Sequence, residues 1–416
     1  MSVSDIPAPA IDPHLLPPPI LTSEPNSFAQ YTFRVRVPNI IQQVMELNPF
    51  PPEIRRALEE LGNEIAGSVI RSLGERARDR AFWDTVSQPY LRRSWFEVPW
   101  YWAEAFFYRR VLEATRYFQP GPWYAFDPFA VMKRAELELE RAPRLVDSLC
   151  RELPDDTLQR FWRLLHASLW GNRMDLSFPA TVACGREVGV RHDQARLIVD
   201  ESAWVWERLA SQQLQRVAIL VDNAGTELLM DVALADFLLA GGLARTVVLH
   251  LKMHPFFVSD ATPADLHAAL AALPPAGDAA QGLHDRIVAH LRAGRLTLQT
   301  HWFYTSCLFY FQLPADLRQE LAGADLAILK GDLNYRRLLG DAHWPPTASF
   351  RHATSYFPTA FVTLRTLKSE LITGLREGQA EVQQSMDPLW LIDGRWGAIQ
   401  TGGYPQTLRT DRRQYS

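Results

Sequence analysis

VAILVDNAGTELLMD, residues 217–231, begins in one secondary-structure pattern and ends in another. Val217 to Val221 is a short apolar run rich in β-formers, the pattern of a strand covered on both faces. From Thr226 the apolar spacing turns helical, through Leu228, Leu229, Val232, Leu234, Ala235, Leu238 and Leu239, and Gly241-Gly242 is expected to stop the helix. Two oxygen-bearing side chains, Asp222 and Asn223, therefore stand at the C-terminal tip of a parallel strand, where open α/β sheets hold their ligands. The next stretch repeats the device. TVVLHLK, residues 246–252, leads through MHPFFVSD to Asp260, another carboxylate just past a strand end. Asp222, Asn223 and Asp260 together offer a hard, oxygen-rich site for a divalent metal ion.

The alternation continues towards the C-terminus. Strands are expected over 217–222, 246–252, 295–301, 325–330, 360–365 and 396–401, and helices over 226–239, 263–273, 283–291, 315–322 and 366–375. Thr262-Pro263-Ala264-Asp265 is a helix start in chemical detail: a hydroxyl cap, proline at the first helical position and a carboxylate in the first turn. Upstream, from about Phe28 to Gln215, the spacing is mostly helical, with amphipathic helices expected over 52–73, 100–118, 129–140 and 156–170. Most of the 13 tryptophans fall there, as core fillers between helices. The expected fold is α/β: a C-terminal three-layer α/β/α domain with a mostly parallel sheet, preceded by an all-α N-terminal domain. The expected divisions are a proline-rich arm over 1–27, a helical domain over 28–215, a metal- and phosphate-binding domain over 216–402 and a tail over 403–416.

Composition narrows the function. A chain of 416 residues that is 47% hydrophobic can bury a large core. A net charge of −4 leaves no electrostatic footprint for nucleic acid. No run of 18 apolar residues is present, so no membrane span is expected, and the N-terminus lacks the basic and apolar regions of a signal peptide. Cys150, Cys184 and Cys307 are far apart and odd in number, which suits reduced thiols of a cytoplasmic protein.

Two further clusters carry charge. In ADLAILKGDLNYRRLLGD, residues 324–341, an expected strand delivers Lys330, Gly331, Asp332, Asn334, Tyr335, Arg336 and Arg337 within one short stretch. Gly331 allows close backbone approach; the others supply groups that hold a phosphorylated polyol. FVTLRTLKSE, residues 361–370, places Arg365 and Lys368 on the first turn of an expected helix. Cations there oppose the helix dipole, a cost that a bound phosphate would offset.

Taken in order, Asp222-Asn223 with Glu227, the HPFFVSD segment ending at Asp260, KGDLNYRRLLGD and Arg365-Thr366-Leu367-Lys368 resemble the metal-dependent damage-control phosphatases. This is the domain-of-unknown-function family eighty-nine, in its sugar-phosphate branch. That branch includes a protein described as an acidic-residue (protein-glutamate) O-methyltransferase. WFEVPWYWAEAFFYRR (95–110), FDPF (126–129) and LWGNRMDLS (169–177) are similar to family segments too, so the resemblance spans roughly 28–401. It implies Asp222, Asn223 and Asp260 as ligands of manganese, cobalt, nickel or magnesium. Asp332, Asn334, Tyr335 and Arg336 would contact the phosphosugar, Lys368 the phosphate, and Glu227 is the position tied to S-adenosylmethionine under the methyltransferase reading. The sequence departs from the family pattern at Ala342, where a basic residue is expected, and at Thr226, where a larger one is common.

Three classes of function follow. The first is metal-dependent hydrolysis of small phosphorylated sugars, such as fructose 1-phosphate or fructose 6-phosphate, in metabolite damage control. Its attacking group is either a water or an aspartate such as Asp222; a haloacid-dehalogenase-type aspartate is disfavoured because Ala224 stands where that chemistry wants an acid. The second is S-adenosylmethionine-dependent carboxyl methylation, for which the 222–227 turn has only Gly225 where nucleotide loops carry several glycines. The third is a non-catalytic sugar-phosphate sensor. Outside the site, Glu104 is expected to pair with Arg109, Arg173 with Asp175, and His254, His301 and His343 to be packing or capping residues.

Overall fold

The protein is described here by a computed structural model covering residues 7–11, 16–74, 77–138, 141–171 and 196–403. Seven strands form one sheet: β1 (Leu197–Asp200), β2 (Leu214–Leu220), β3 (Ala244–Leu251), β4 (Leu296–Thr300), β5 (Leu326–Lys330), β6 (Phe361–Thr366) and β7 (Gly397–Gly402). Their order is β1-β7-β6-β5-β2-β3-β4. β2 pairs in parallel with both β3 and β5, and β3–β4 and β5–β6 are parallel as well. β7 runs antiparallel to β6 and parallel to β1. From β2 the chain builds outward through β3 and β4, then crosses back to add β5 and β6 on the other side. The C-terminal ends of β2 and β5 therefore flank the switch point, where the connecting loops diverge and leave a crevice.

The alternation along β2 explains why the run had to be apolar. Val217, Ile219 and Val221 enter a cluster with Val146, Leu165, Leu228 and Leu238, contributed by the helices Arg141–Arg151, Thr157–Trp170 and Thr226–Ala240. Ala218 and Leu220 face the opposite cluster, with Phe33, Trp95, Trp102 and Phe106 from the N-terminal half of the chain. Helices from both halves of the chain thus cover the two faces of the sheet. The tryptophans do act as fillers: Trp95 and Trp102 stack on Phe106 with centroids 5.8 and 5.2 Å away. The proline-rich segment packs against this body, since Ile20 is buried, its N–H donates to the Asp341 carbonyl at 2.9 Å, and Leu21 bridges to Pro99. Among the described residues no helix is long and apolar enough to cross a membrane.

Several expected elements differ. β1 falls inside the stretch read as wholly helical; it is short, half-buried at an edge, and its sequence LIVD has no flanking alternation to reveal it. The helix expected over 366–375 does not form. The chain instead wraps around the Arg365 guanidinium, which takes the carbonyls of Leu371 and Ser369 at 2.6 and 3.2 Å. A helix does form at Gly331–Leu339, immediately after β5, where none was expected. Thr262 begins its helix as expected, with a full capping box to Asp265. Glu104 and Arg109 do not pair: Glu104 takes Arg336 at 2.7 Å and Arg109 takes Asp79 at 2.7 Å. Arg173, Asp175 and Cys184 lie outside the described residues. Cys307 is buried, and burial pushes its thiol up to about 12.

Two buried histidines set an acid limit on stability. Burial pushes His250 down to about 3 and His254 down to about 4, so both are neutral in the fold. Unfolded imidazoles bind protons near pH 6.5, before the folded ones do. Unfolding free energy should therefore fall as pH drops from about 6.5 towards 4. Urea titrations at pH 7.5, 6, 5 and 4.5 should show this, with a shallower decline in His250→Gln; an equal slope in the variant would contradict it.

Candidate active site

The tips of β2 and β3 are tied together by backbone. Asn223 and Asp260 form an antiparallel bridge, Ala224 N–H donates to Ser259 O at 2.7 Å, and Ala261 N–H donates to Asp222 O at 2.9 Å. This zipper puts the three side chains on the wall of one cavity. Asp222 and Asp260 are buried, and Asp222 Oδ1 and Asp260 Oδ2 accept no hydrogen bond among the described residues. Lys252 Nζ lies 3.9 Å from the first and 3.3 Å from the second. Burial pushes the Asp222 carboxyl well above the ordinary range; Lys252 opposes this, and Asp260 and Glu227 add to it. Asn223 Nδ2 donates to Glu227 Oε2 at 2.9 Å and to Asp222 Oδ2 at 3.2 Å, while its Oδ1 accepts from Ser259 Oγ at 2.6 Å. Neither Asp222 nor Asn223 caps the following helix, whose N-cap is Gly225.

Buried carboxylate oxygens without donors are costly, and a divalent cation would offset that cost. Among the described residues no group of three or more His, Cys, Asp or Glu side chains forms a metal cage. The donors here are two carboxylates and one amide oxygen, a set that fits a hard cation completing its coordination with water and substrate oxygens. Gly331 matters to this geometry. It sits at φ +83°, and a Cβ there would overlap Asp222 Oδ2 and stand 2.5 Å from its Cγ.

A cavity of about 160 Å³ opens beside the three donors, with Asp332, Arg336 and Lys368 on its wall. Among the described residues the Lys368 ammonium makes no ion pair. The Gly331–Leu339 helix decides which of its residues reach this space: Asp332 and Arg336, four apart, share the cavity face. Asp332 Oδ1 accepts from Arg365 Nε at 2.7 Å, Ser369 Oγ at 3.0 Å and Lys368 N–H at 3.1 Å, which fastens the segment carrying Lys368. Arg336 is held by Glu104 and Asp341, both at 2.7 Å, and lies 3.6 Å over the Trp100 ring.

The remaining expected contacts turn away from the cavity. Asn334 Oδ1 accepts from Tyr310 Oη at 2.7 Å and its Nδ2 donates to Lys330 O at 2.8 Å. Tyr335 Oη donates to Gln400 Oε1 at 2.9 Å. Arg365 is fully buried, pairing with Asp332 and lying 4.0 Å over the Tyr335 ring. Lys330 is fully buried against Asp231 and Glu227 at 2.8 and 3.2 Å. These four were expected to touch substrate; in the fold none of them lines the cavity, and each is spent on buried partners behind it.

Sequence reasoning passed over other wall residues. Phe28, Arg36, Trp100 and Glu104 come from the helical half, and Phe257 and Ser259 from the segment before Asp260. Trp100 and Glu104, four apart in a quoted segment, carried a helical-face signal; Lys252, which stands beside Asp222 and Asp260, follows directly on the last residue of β3. Arg36 ends a five-residue π-helical turn, Thr32–Arg36, for which the sequence has no marker.

Comparison with known proteins gives one consistent result. The family model for the damage-control phosphatase ARMT1-like domain matches residues 32–382. Damage-control phosphatase ARMT1 of Danio rerio is 31% identical, with 93% of this chain and 97% of that protein covered. The Mus musculus protein of the same name is 31% identical over 91% and 96%, and the Homo sapiens protein 29% over 94% and 99%. A solved DUF89 family protein from Pyrococcus horikoshii superposes with TM-score 0.47 and 17% identity, covering 82% of this chain and 92% of its own.

Proposed function

Because the chain belongs to the ARMT1-like damage-control phosphatase family, we propose that it is a metal-dependent hydrolase of small phosphorylated sugars, working in the cytoplasm. The observation that carries the metal and the phosphate together is the meeting in one cavity of Asp222 and Asp260, each with an oxygen that accepts no hydrogen bond among the described residues, and of Lys368, whose ammonium makes no ion pair among those residues. Asp222, Asn223 and Asp260 would hold the divalent ion, whose bound form supplies Lewis-acid polarisation and charge neutralisation at phosphoryl oxygen. Lys368 supplies a point charge to the phosphate, and Asp332 keeps its backbone in place. Arg336, fixed by Glu104 and Asp341, presents its outer edge to the substrate. Phe28, Trp100 and Phe257 from the wall exclude bulk water, which strengthens every charge interaction inside.

The methyltransferase reading is supported less well. Glu227, its expected cofactor contact, already accepts from Asn223 with one oxygen and faces Lys330 with the other. The cavity of about 160 Å³ is also small beside the ~300–1,000 Å³ usual for larger ligands. A phosphate-release screen over hexose and pentose phosphates, with magnesium, manganese, cobalt and nickel each tested, decides the matter. Release from at least one sugar phosphate, abolished by a chelator, is expected, with no S-adenosylmethionine binding by calorimetry below millimolar concentration. No release with any metal, beside micromolar binding of that cofactor, would reverse the reading; sugar-phosphate binding without turnover or metal would indicate a sensor.

Lys368→Ala should weaken use of the phosphosugar through KM. Loss of a hydrogen bond to a charged group is worth roughly 1.5–3 kcal/mol, a ~10- to 100-fold drop in kcat/KM. An unchanged specificity constant would remove Lys368 from the site.

A further inference from the structure

Behind Asn223 stands a buried chain of charged groups that touches no part of the cavity beyond Glu227. Glu227 Oε2 accepts from Asn223 Nδ2 at 2.9 Å, and Glu227 Oε1 lies 3.2 Å from Lys330 Nζ. Lys330 Nζ is 2.8 Å from Asp231 Oδ1 and donates to Ser168 O at 2.5 Å. Ser168 Oγ closes the set by donating to Asp231 Oδ1 at 2.6 Å. Glu227 and Asp231 are four apart on the Thr226–Ala240 helix, Lys330 ends β5, and Ser168 lies on the Thr157–Trp170 helix, so three elements fix one carboxylate. Gly171 packs so closely that a Cβ there would stand 2.6 Å from Glu227 Cα. Apolar side chains of similar size would serve stability as well as this ion cluster. What the cluster provides is an acceptor held in one place.

That matters because the two ends of an asparagine amide have nearly the same shape but opposite chemistry. Only the oxygen can ligate a cation; the NH₂ can only donate. Asn223 Nδ2 faces Glu227 and Asp222, both acceptors, and Oδ1 meets the Ser259 hydroxyl. Turning the amide over would set its oxygen against two carboxylates. We propose that Glu227, held in place by Lys330, Asp231 and Ser168, is a positioning residue that keeps the Asn223 amide oxygen directed at the metal site. This rests on the reading of Asn223 as a metal ligand. It also gives Lys330 a role as a support rather than a substrate cation.

The test is manganese titration calorimetry on the full chain, with Glu227→Gln made in two backgrounds. In the parent, Glu227→Gln should weaken manganese binding ~10- to 100-fold, the range typical for losses behind a ligand. In Asn223→Asp, whose carboxylate has oxygen at both ends and no wrong orientation, the same change should cost less than ~3-fold. Glu227→Ala, which removes the acceptor without adding an amide, should repeat the pattern and serves if Glu227→Gln fails to fold. Equal losses in both backgrounds would mean that Glu227 acts through its charge alone and would overturn the positioning role. Failure of the parent to bind manganese would instead overturn the metal reading on which it rests.

Discussion

Gly331→Ala should abolish metal binding and phosphate release together. The Asp222 carboxylate and the Gly331 backbone approach each other across the switch point between β2 and β5. A methyl group at 331 would overlap Oδ2 and stand 2.5 and 2.9 Å from Cγ and Cβ of the aspartate. The aspartate is buried and its Oδ2 accepts from Asn223, so a carboxylate pushed aside into the cavity loses that hydrogen bond and its place beside Asp260. The backbone offers no relief either. At φ +83° an L-residue pays a left-handed penalty of roughly 1–2 kcal/mol before any clash is counted. Manganese titration, phosphate release and circular dichroism on the purified variant would check this. Parental metal affinity in Gly331→Ala would mean that Asp222 is not where the cation binds.

Asp260→Asn should cost at least ~100-fold in activity with little change in fold, exceeding the ~10- to 100-fold typical of groups behind a ligand. The substitution keeps the shape of a buried side chain and the Asn223–Asp260 backbone bridge. It removes one of the two negative charges facing the proposed cation site and leaves Lys252, 3.3 Å away, with less to balance it. Added metal should restore part of the rate, because the loss is one of affinity. A thermal melt shows whether the fold is kept. Parental turnover at low metal concentration would contradict the ligand assignment.

The sheet was legible because parallel strands buried on both faces read as continuous apolar runs, as in 217–221 and 326–329. The strand tips followed from the same pattern, and with them Asp222, Asn223 and Asp260. Legibility ended where side-chain direction depends on what the chain does next. Lys330, Asn334, Tyr335 and Arg365 have the chemistry of ligand contacts, but a helix starting at Gly331 turns Asn334 and Tyr335 away from the cavity. The 366–375 segment has helical spacing, yet the carbonyls there serve the Arg365 guanidinium, a contact no periodicity encodes. β1 was hidden by its length. The helical-half wall, from Phe28 to Glu104, was hidden by distance along the chain: nothing local in those residues says that they will face a carboxylate more than a hundred positions later.

That wall has a consequence for the birth of the protein. The full lining of the cavity runs from Phe28 to Lys368, and Tyr101 N–H is anchored on Asp341, 240 positions away. Chains emerge from the ribosome at roughly 5–20 residues per second, N-terminal part first. The aromatic helices must therefore wait many seconds for the sheet they cover. Until β6 has emerged there is no cavity, so a nascent or truncated chain lacks a complete site. During that interval the ring cluster of Phe33, Trp83, Trp95, Trp102 and Phe106 can close on itself, while Tyr101 still waits for the Ser306 carbonyl and the Asp341 carboxylate that accept from it.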